Sequence, residues 1–264
     1  LPTWKLTIEY QGTRYHGWQE QKNARTVAGL IRQAAEDFFG SRVELGGAGR
    51  TDSGVHALAQ VAHLRAERHL AACQILRGLN NRLPADINIL KVEEAQPRFD
   101  ARRDALSRYY LYQISMRRTA FAKNFVWWVK DELDLEPMRE AARLLVRRGD
   151  FAQFCQMRGD ERSTIVEVEC AQIGADGDLI LFRIGASHFL WKMVRRIVGM
   201  LVQVGLGRVS VEEFRGLLSG PVPHIHVAAH TAPPSGLFLE KVIYDEGERV
   251  GQLRAAFPVR AWPF

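Results

Sequence analysis

Cysteine is scarce in this chain: Cys73, Cys155 and Cys170 are the only three in 264 residues. The number is odd and the spacing never forms a CxxC pair, which argues against a disulfide framework and a thiolate metal site and fits a reducing compartment. Long apolar runs are also missing. The best one, Ile197 to Val204, is interrupted by Gln203 and is too short to span a bilayer. The first residues lack a signal-peptide pattern, so the expectation is a cytoplasmic protein with no membrane attachment. There is no low-complexity tract, and acidic residues are outnumbered 30 to 36.

What is present is a core-forming composition. Hydrophobic residues make up 47% and charged residues 25%, ample for one large domain or two fused small ones. The net charge is +6 and the sequence pI about 9.4, which favours a polyanionic partner. The basic residues are 29 Arg and 7 Lys. Guanidinium forks grip phosphate with two donors and stack on bases, which suits nucleic acid. A general codon bias toward Arg would give the same count.

Periodicity orders the chain. Trp4, Leu6, Ile8 and Tyr10 alternate with polar residues as in a half-buried strand. Val27, Leu30, Ile31, Ala34 and Phe38 recur at helical spacing between a Thr26 cap and a Gly40 stop. Strands follow near 42–45 and 60–65, a helix near 70–79 and a strand over 86–92. The second half repeats this order. It has a strand over 108–115, a helix opened by Pro137 and ended by Gly149, strands over 164–173 and 179–184 flanking a 174–178 loop, and a long helix over 189–205. A Ser210–Glu213 capping box then opens another helix, and a strand spans 237–244. Two β-α-β-β-α-β runs predict an α+β fold of two ferredoxin-like halves, with mostly antiparallel sheets, helices on one face and a central cleft. The expected boundaries are 1–100, 101–245 and a 246–264 tail.

The stretch "ELGGAGRTDSGVHALAQVAHL" places Arg50-Thr51-Asp52 among glycines that let backbone approach another molecule closely. Such a loop, leading into a strand, often carries chemistry; its ordinary reading is a turn with a solvated aspartate. Tyr110 and Tyr112 share a strand face with Arg108, a pattern that plain strand packing also produces. Arg195 lies in the apolar "FLWKMVRRIVGMLVQVG", on one stripe with Trp191, Gly199 and Val202. A partly desolvated arginine needs an anionic partner, or else it snorkels; Arg196 beside it is expected to reach solvent. Arg139, Arg143 and Arg147 fall at i, i+4 and i+8, and a second basic cluster runs from Arg98 to Arg118. His224, His226 and His230 raise the idea of a zinc hydrolase, but HExxH is absent. The element order is also that of an RNA-binding RRM, yet the RNP1 aromatic pattern is missing.

Together the motifs resemble the TruA-type tRNA pseudouridine synthases. "YQGTRYHGWQ" is similar to the family's N-terminal motif, with Gln11 where the family has Asp. "GRTDSGVHA" is similar to its nucleophile loop, and "NNRLPADI", "RYYLY", "DFAQF", "FLWKMVRRIVG" and "TAPPSGLFLEKV" follow in the family's order. The resemblance implies isomerisation of uridine to pseudouridine at positions 38, 39 and 40 of the tRNA anticodon stem-loop, by a homodimer, with no cofactor and no metal. It implies Asp52 as nucleophile, Arg195 as the partner that favours its charged form, and Tyr110 stacking on the target base with a part in proton transfer. Arg50 would fill the gap left by the flipped nucleotide. Arg14 and Arg108 are expected to touch RNA, and His56 to hold either the RNA or the loop.

Overall fold

Strand β1 (Thr3–Tyr10) forms because every second residue is apolar: Trp4, Leu6, Ile8 and Tyr10 are buried on one face. It belongs to a computed structural model that describes residues 1–156 and 163–260. Two compact units are present. The first is Leu1–Leu106 with Phe238–Glu248; the second is Ser107–Leu237 with the chain from Arg249 onward.

In the first unit the element order is β1, α1 (Val27–Phe39), β2 (Glu44–Gly47), β3 (His56–Arg65), α2 (Ala72–Asn80) and β4 (Ile87–Ala95). This is the expected β-α-β-β-α-β order. Thr26 caps α1 by accepting the Gly29 amide, and Gly40 ends it in the left-handed region at φ 71°. Antiparallel β1 lies between β4 and β3. The other edge of β3 is shared. Strand β2 pairs with its far end, and β10 (Leu237–Ile243) pairs in parallel with its first residues, Phe238 opposite His56. Phe39 of α1 meets Trp4 at 5.7 Å, so the helix covers the apolar face of β1. Asn80 pins the end of α2 to β4 through both the amide and the carbonyl of Ile89.

The second unit is built on β5 (Ser107–Ser115), β9 (Leu179–Ala186), β8 (Ile165–Asp176) and β7 (Arg148–Asp150), antiparallel in that order. A two-residue β6 (Trp127–Trp128) runs parallel to the end of β5. Helix α3 (Leu135–Arg143) packs against β8, α4 (Met193–Gly205) and α5 (Val211–Leu217).

Several boundaries differ from the periodicity reading. Asp134, not Pro137, opens α3, because its carboxylate accepts the Glu136 amide. The helix ends at Arg143, so Gly149 lies in β7 and Arg147 is outside the helix that was to align it with Arg139 and Arg143. The β8–β9 loop shrinks to Gly177 and Asp178, since Asp176 pairs with Leu179. Gly177, at φ 58°, supplies the first position of a two-residue hairpin. Helix α4 begins at Met193, after Lys192 adopts a left-handed φ of 63°. Trp191 therefore precedes the helix and is not on the Arg195 stripe.

Residues 249–260 make contacts with the rest of the second unit. The Gln113 side-chain oxygen accepts the amides of Ala256 and Phe257, and Arg183 donates to the Gly251 carbonyl. Gln113 and Arg183 are buried, so without this segment each would lose a partner at a cost of about 1–3 kcal/mol.

Candidate active site

In the first unit the segment from Tyr10 to Trp18 grips the 49–56 loop residue by residue. The Trp18 amide donates to the Thr51 carbonyl at 3.1 Å. The Tyr15 carbonyl accepts the Gly54 amide at 3.3 Å and the Ser53 hydroxyl at 3.1 Å. The Gly12 amide donates to Nδ1 of His56 at 2.9 Å. The loop closes on itself where the Val55 amide meets the Asp52 carbonyl at 3.1 Å.

Two glycines make this fit possible. A Cβ on Gly12 would stand 1.9 Å from the Val55 carbonyl oxygen, and one on Gly17 would stand 2.4 Å from that of Thr51. Gly17 also has φ 88°, which disfavours a side chain on its own account. Trp18 lies flat against Gly47, where a Cβ would approach its ring to 2.5 Å. Thr51 and Val55 are buried, whereas Asp52 is half-buried and Arg50 exposed. A clamped main chain thus carries one carboxylate that solvent reaches, flanked by a solvent-exposed guanidinium. Such an arrangement can present a nucleophile in fixed register.

The other sequence candidates in this unit differ in exposure. His56 is 1% exposed and stacks on Phe238 at 4.8 Å. With Nδ1 accepting from Gly12, its ring is engaged in holding the loop. Arg14 is exposed in a short 3-10 turn. Of the Arg98–Arg118 cluster, Arg98, Arg102, Arg103 and Arg118 are exposed, while Arg117 is ion-paired to Asp178. Asp100 accepts the amides of Arg102 and Arg103. Burial acts to raise its carboxyl, but these two amides, together with nearby positive charge, turn the net direction down.

In the second unit one bracket gathers the remaining candidates. Arg195 Nε donates to the Ala232 carbonyl at 2.7 Å, and the Ala232 amide donates back to the Arg195 carbonyl at 3.0 Å. Gly199, one turn on, allows this approach, for a Cβ there would fall 1.6 Å from the His230 carbonyl oxygen. The next residue, Pro233, accepts the Tyr112 hydroxyl at 2.8 Å, and Gly236 faces the Tyr112 ring. Tyr112 is fully buried; burial drives its hydroxyl well above the usual tyrosine range, with Arg195 pulling the other way. The motif "TAPPSG" is thus the strap that joins Arg195 to β5. Tyr110 sits two residues from Tyr112 on the same strand face, 7% exposed, edge-on to Phe189 at 5.1 Å. Arg108, next on that face, is 8% exposed and donates to the Ser187 carbonyl at 2.9 Å.

Arg196 departs from its expected place in solvent. It donates to the Cys155 carbonyl, and its half-buried guanidinium has an Nε without a partner among the described residues. Burial lowers its tendency to hold the proton. The histidine cluster does not assemble a metal site. His224 turns to Glu213 at 2.7 Å, and among the described residues no group of three His, Cys, Asp or Glu side chains is arranged to hold a metal ion. Among the described residues, no helix is long and apolar enough to cross a membrane.

The grip on the loop escaped the sequence reading, although its signal was there: Gly12 and Gly17 stand five residues apart in "YQGTRYHGWQ". The role of Ala232 and Pro233 had no local signal, because it depends on where α4 starts.

Comparison with known proteins adds an independent line. The pattern of a family described as tRNA pseudouridine synthase matches residues 6–103 and 141–245, more than half of the chain. Proteins named tRNA pseudouridine synthase A from Brucella ovis, Brucella canis and Brucella melitensis are each 39% identical over 249 residues, covering 92% of this chain and 98% of theirs. Among solved structures, an archaeal box H/ACA sRNP Nop10–Cbf5 complex overlaps with a TM-score of 0.36 and 12% identity, over 75% of this chain and 43% of that one.

Proposed function

Because this chain belongs to the tRNA pseudouridine synthase family, isomerases that convert uridine to pseudouridine, we propose that it acts on the anticodon stem-loop at positions 38, 39 and 40, with Asp52 as nucleophile. The observation that carries the reading is the clamped 49–56 loop, in which Asp52 is half-buried between buried Thr51 and Val55. A free carboxylate samples many positions. One on a loop fixed at Thr51, Ser53, Gly54 and His56 has less freedom to lose when a sugar carbon must be approached.

The chemistry needs no electron carrier and no transferred group. The Asp52 carboxylate attacks C1′, the C1′–N1 bond breaks, and the uracil leaves with the bond electrons. The ring turns, C5 attacks C1′ and displaces the carboxylate. The proton on C5 is then lost and N1 gains one, so the product is an isomer of the substrate. Arg195 serves as the cation that favours the charged carboxylate. Tyr110 stacks on the target base and serves the proton step. Arg50, exposed beside the loop, occupies the space of the extruded nucleotide, and Arg14 contacts the backbone. Arg108 supports the face on which Tyr110 lies. The enzyme works as a cytoplasmic homodimer on tRNA.

The test is Asp52→Ala with an unmodified tRNA transcript. Pseudouridine formation, mapped chemically along the RNA, is expected to fall by on the order of a thousandfold or more. The Kd for tRNA should stay within about threefold, since the contacts with phosphate remain. Conversion at near the parent rate would remove Asp52 from the mechanism. Modification outside the anticodon stem-loop would remove the proposed target.

A further inference from the structure

Behind the loop lies a buried polar relay that the chemistry above does not use. Tyr10, Thr51 and Gln60 are 3%, 6% and 0% exposed. The Tyr10 hydroxyl and the Thr51 hydroxyl are 2.8 Å apart. Gln60 has its amide orientation fixed by the backbone: Oε1 accepts from the Val61 amide at 3.2 Å, and Nε2 donates to the Gly49 carbonyl at 2.9 Å. Either hydroxyl of the Tyr10–Thr51 pair can donate to the other. Burial drives the Tyr10 hydroxyl above its ordinary range, so the phenol stays protonated. The two contacts reach the loop at Thr51, one residue before Asp52, and at Gly49, three residues before it.

We propose that Tyr10 and Gln60 are positioning residues for Asp52, setting the height and rotation of the loop through Thr51 and Gly49 from the floor formed by β1 and β3. The inference rests on Asp52 being the nucleophile. The glycine contacts fix the loop from the side of the 12–18 segment, and the relay fixes it from beneath. Backbone amides alone hold a loop to within their soft range of angles. A buried hydroxyl pair narrows that range, and each member left without its partner would have to move.

The experiment compares Tyr10→Phe, Thr51→Val, the double variant, and Thr51→Ser, which keeps the oxygen. Steady-state rates on the transcript and thermal melting are measured for each. Tyr10→Phe and Thr51→Val are each expected to lower kcat by about 10- to 100-fold. KM should stay within about twofold and melting within a few degrees. The double variant should be no slower than the worse single one, because both break the same relay. Thr51→Ser should recover most of the kcat lost in Thr51→Val. Both single variants keeping kcat within about twofold of the parent would overturn the proposal, as would losses carried entirely by KM. If Tyr10→Phe does not fold, the Ser and Val pair at position 51 decides: equal kcat at equal melting temperature overturns the proposal, and recovery in Ser alone supports it. Asp52→Ala run alongside separates the two readings. Full activity there removes the nucleophile and this inference together, whereas an inactive Asp52→Ala with a fully active Tyr10→Phe removes only the relay.

Discussion

A guanidinium tied at one end and charged at the other is the residue-scale feature with most to say about rate. Arg195 fixes its Nε on the Ala232 carbonyl, so the side chain has little freedom left to find a partner by itself. Arg195→Met keeps the apolar stem and removes the charge. On the proposal that the Arg195 charge favours the ionised nucleophile, we expect the variant to lower kcat by about a hundredfold. Arg139 is the comparison. It is half-exposed and already engaged by Glu136, an i,i+3 pair of the kind that contributes little. Arg139→Ala should leave kcat within about twofold. Equal losses in single-turnover assays of the two variants would contradict the special role of Arg195. At this scale the sequence singled out the residues proposed to carry chemistry: Asp52, Tyr110 and Arg195 stood out by motif or by odd surroundings. It did not show what holds them. The contact of Gly12 with Val55 and that of Gly199 with His230 depend on backbone paths that no local pattern encodes.

Among the elements, α5 offers the clearest dependence on pH. Glu213 accepts the Ser210 amide and hydroxyl and meets His224. The Ser210 groups, then His224, pull its carboxyl down to about 2 from an ordinary 4.5. A carboxyl lowered by folding stabilises the folded state above its unfolded value and loses that contribution as acid approaches its folded value. The melting temperature of the parent should therefore fall between pH about 4.5 and 2. Ser210→Ala should show a shallower fall across that window, and parallel curves would exclude the capping box as its source. This box was legible in sequence because a Ser-x-x-Glu signal is local. The start of α3 was not: Pro137 advertises a first turn, yet Asp134 supplies the side-chain cap three residues earlier. The start of α4 was hidden for the opposite reason. Phe189 to Lys192 continue the apolar pattern, but the left-handed Lys192 breaks the helix before Met193. Strand β1 fared better, since its alternation reports directly on which face is buried.

At the scale of the whole molecule, charge bears on the partner and copy number on the assembly. An excess of six positive charges suits a polyanionic substrate. Light scattering of the purified protein should give twice the 29.9 kDa of one chain. A mass equal to one chain at micromolar concentration would remove the homodimer from the proposal. The element order of the first half was readable from periodicity; in the second, the short β6 and β7 were not. The pairing of β10 with β3 was not, because it joins residues separated by some 180 positions, and nothing near either strand specifies so distant a neighbour.

That pairing bears on how the protein comes into being. Translation delivers Asp52 and its clamp well before the ring that stacks on His56, which belongs to Phe238. Until Phe238 arrives, the first unit waits with the His56–Ala57 end of β3 unpaired on that edge and its histidine uncovered. The 49–56 loop gains this support only after some 180 further residues have been added, so a polypeptide released before then would carry the acidic side chain on an incomplete scaffold.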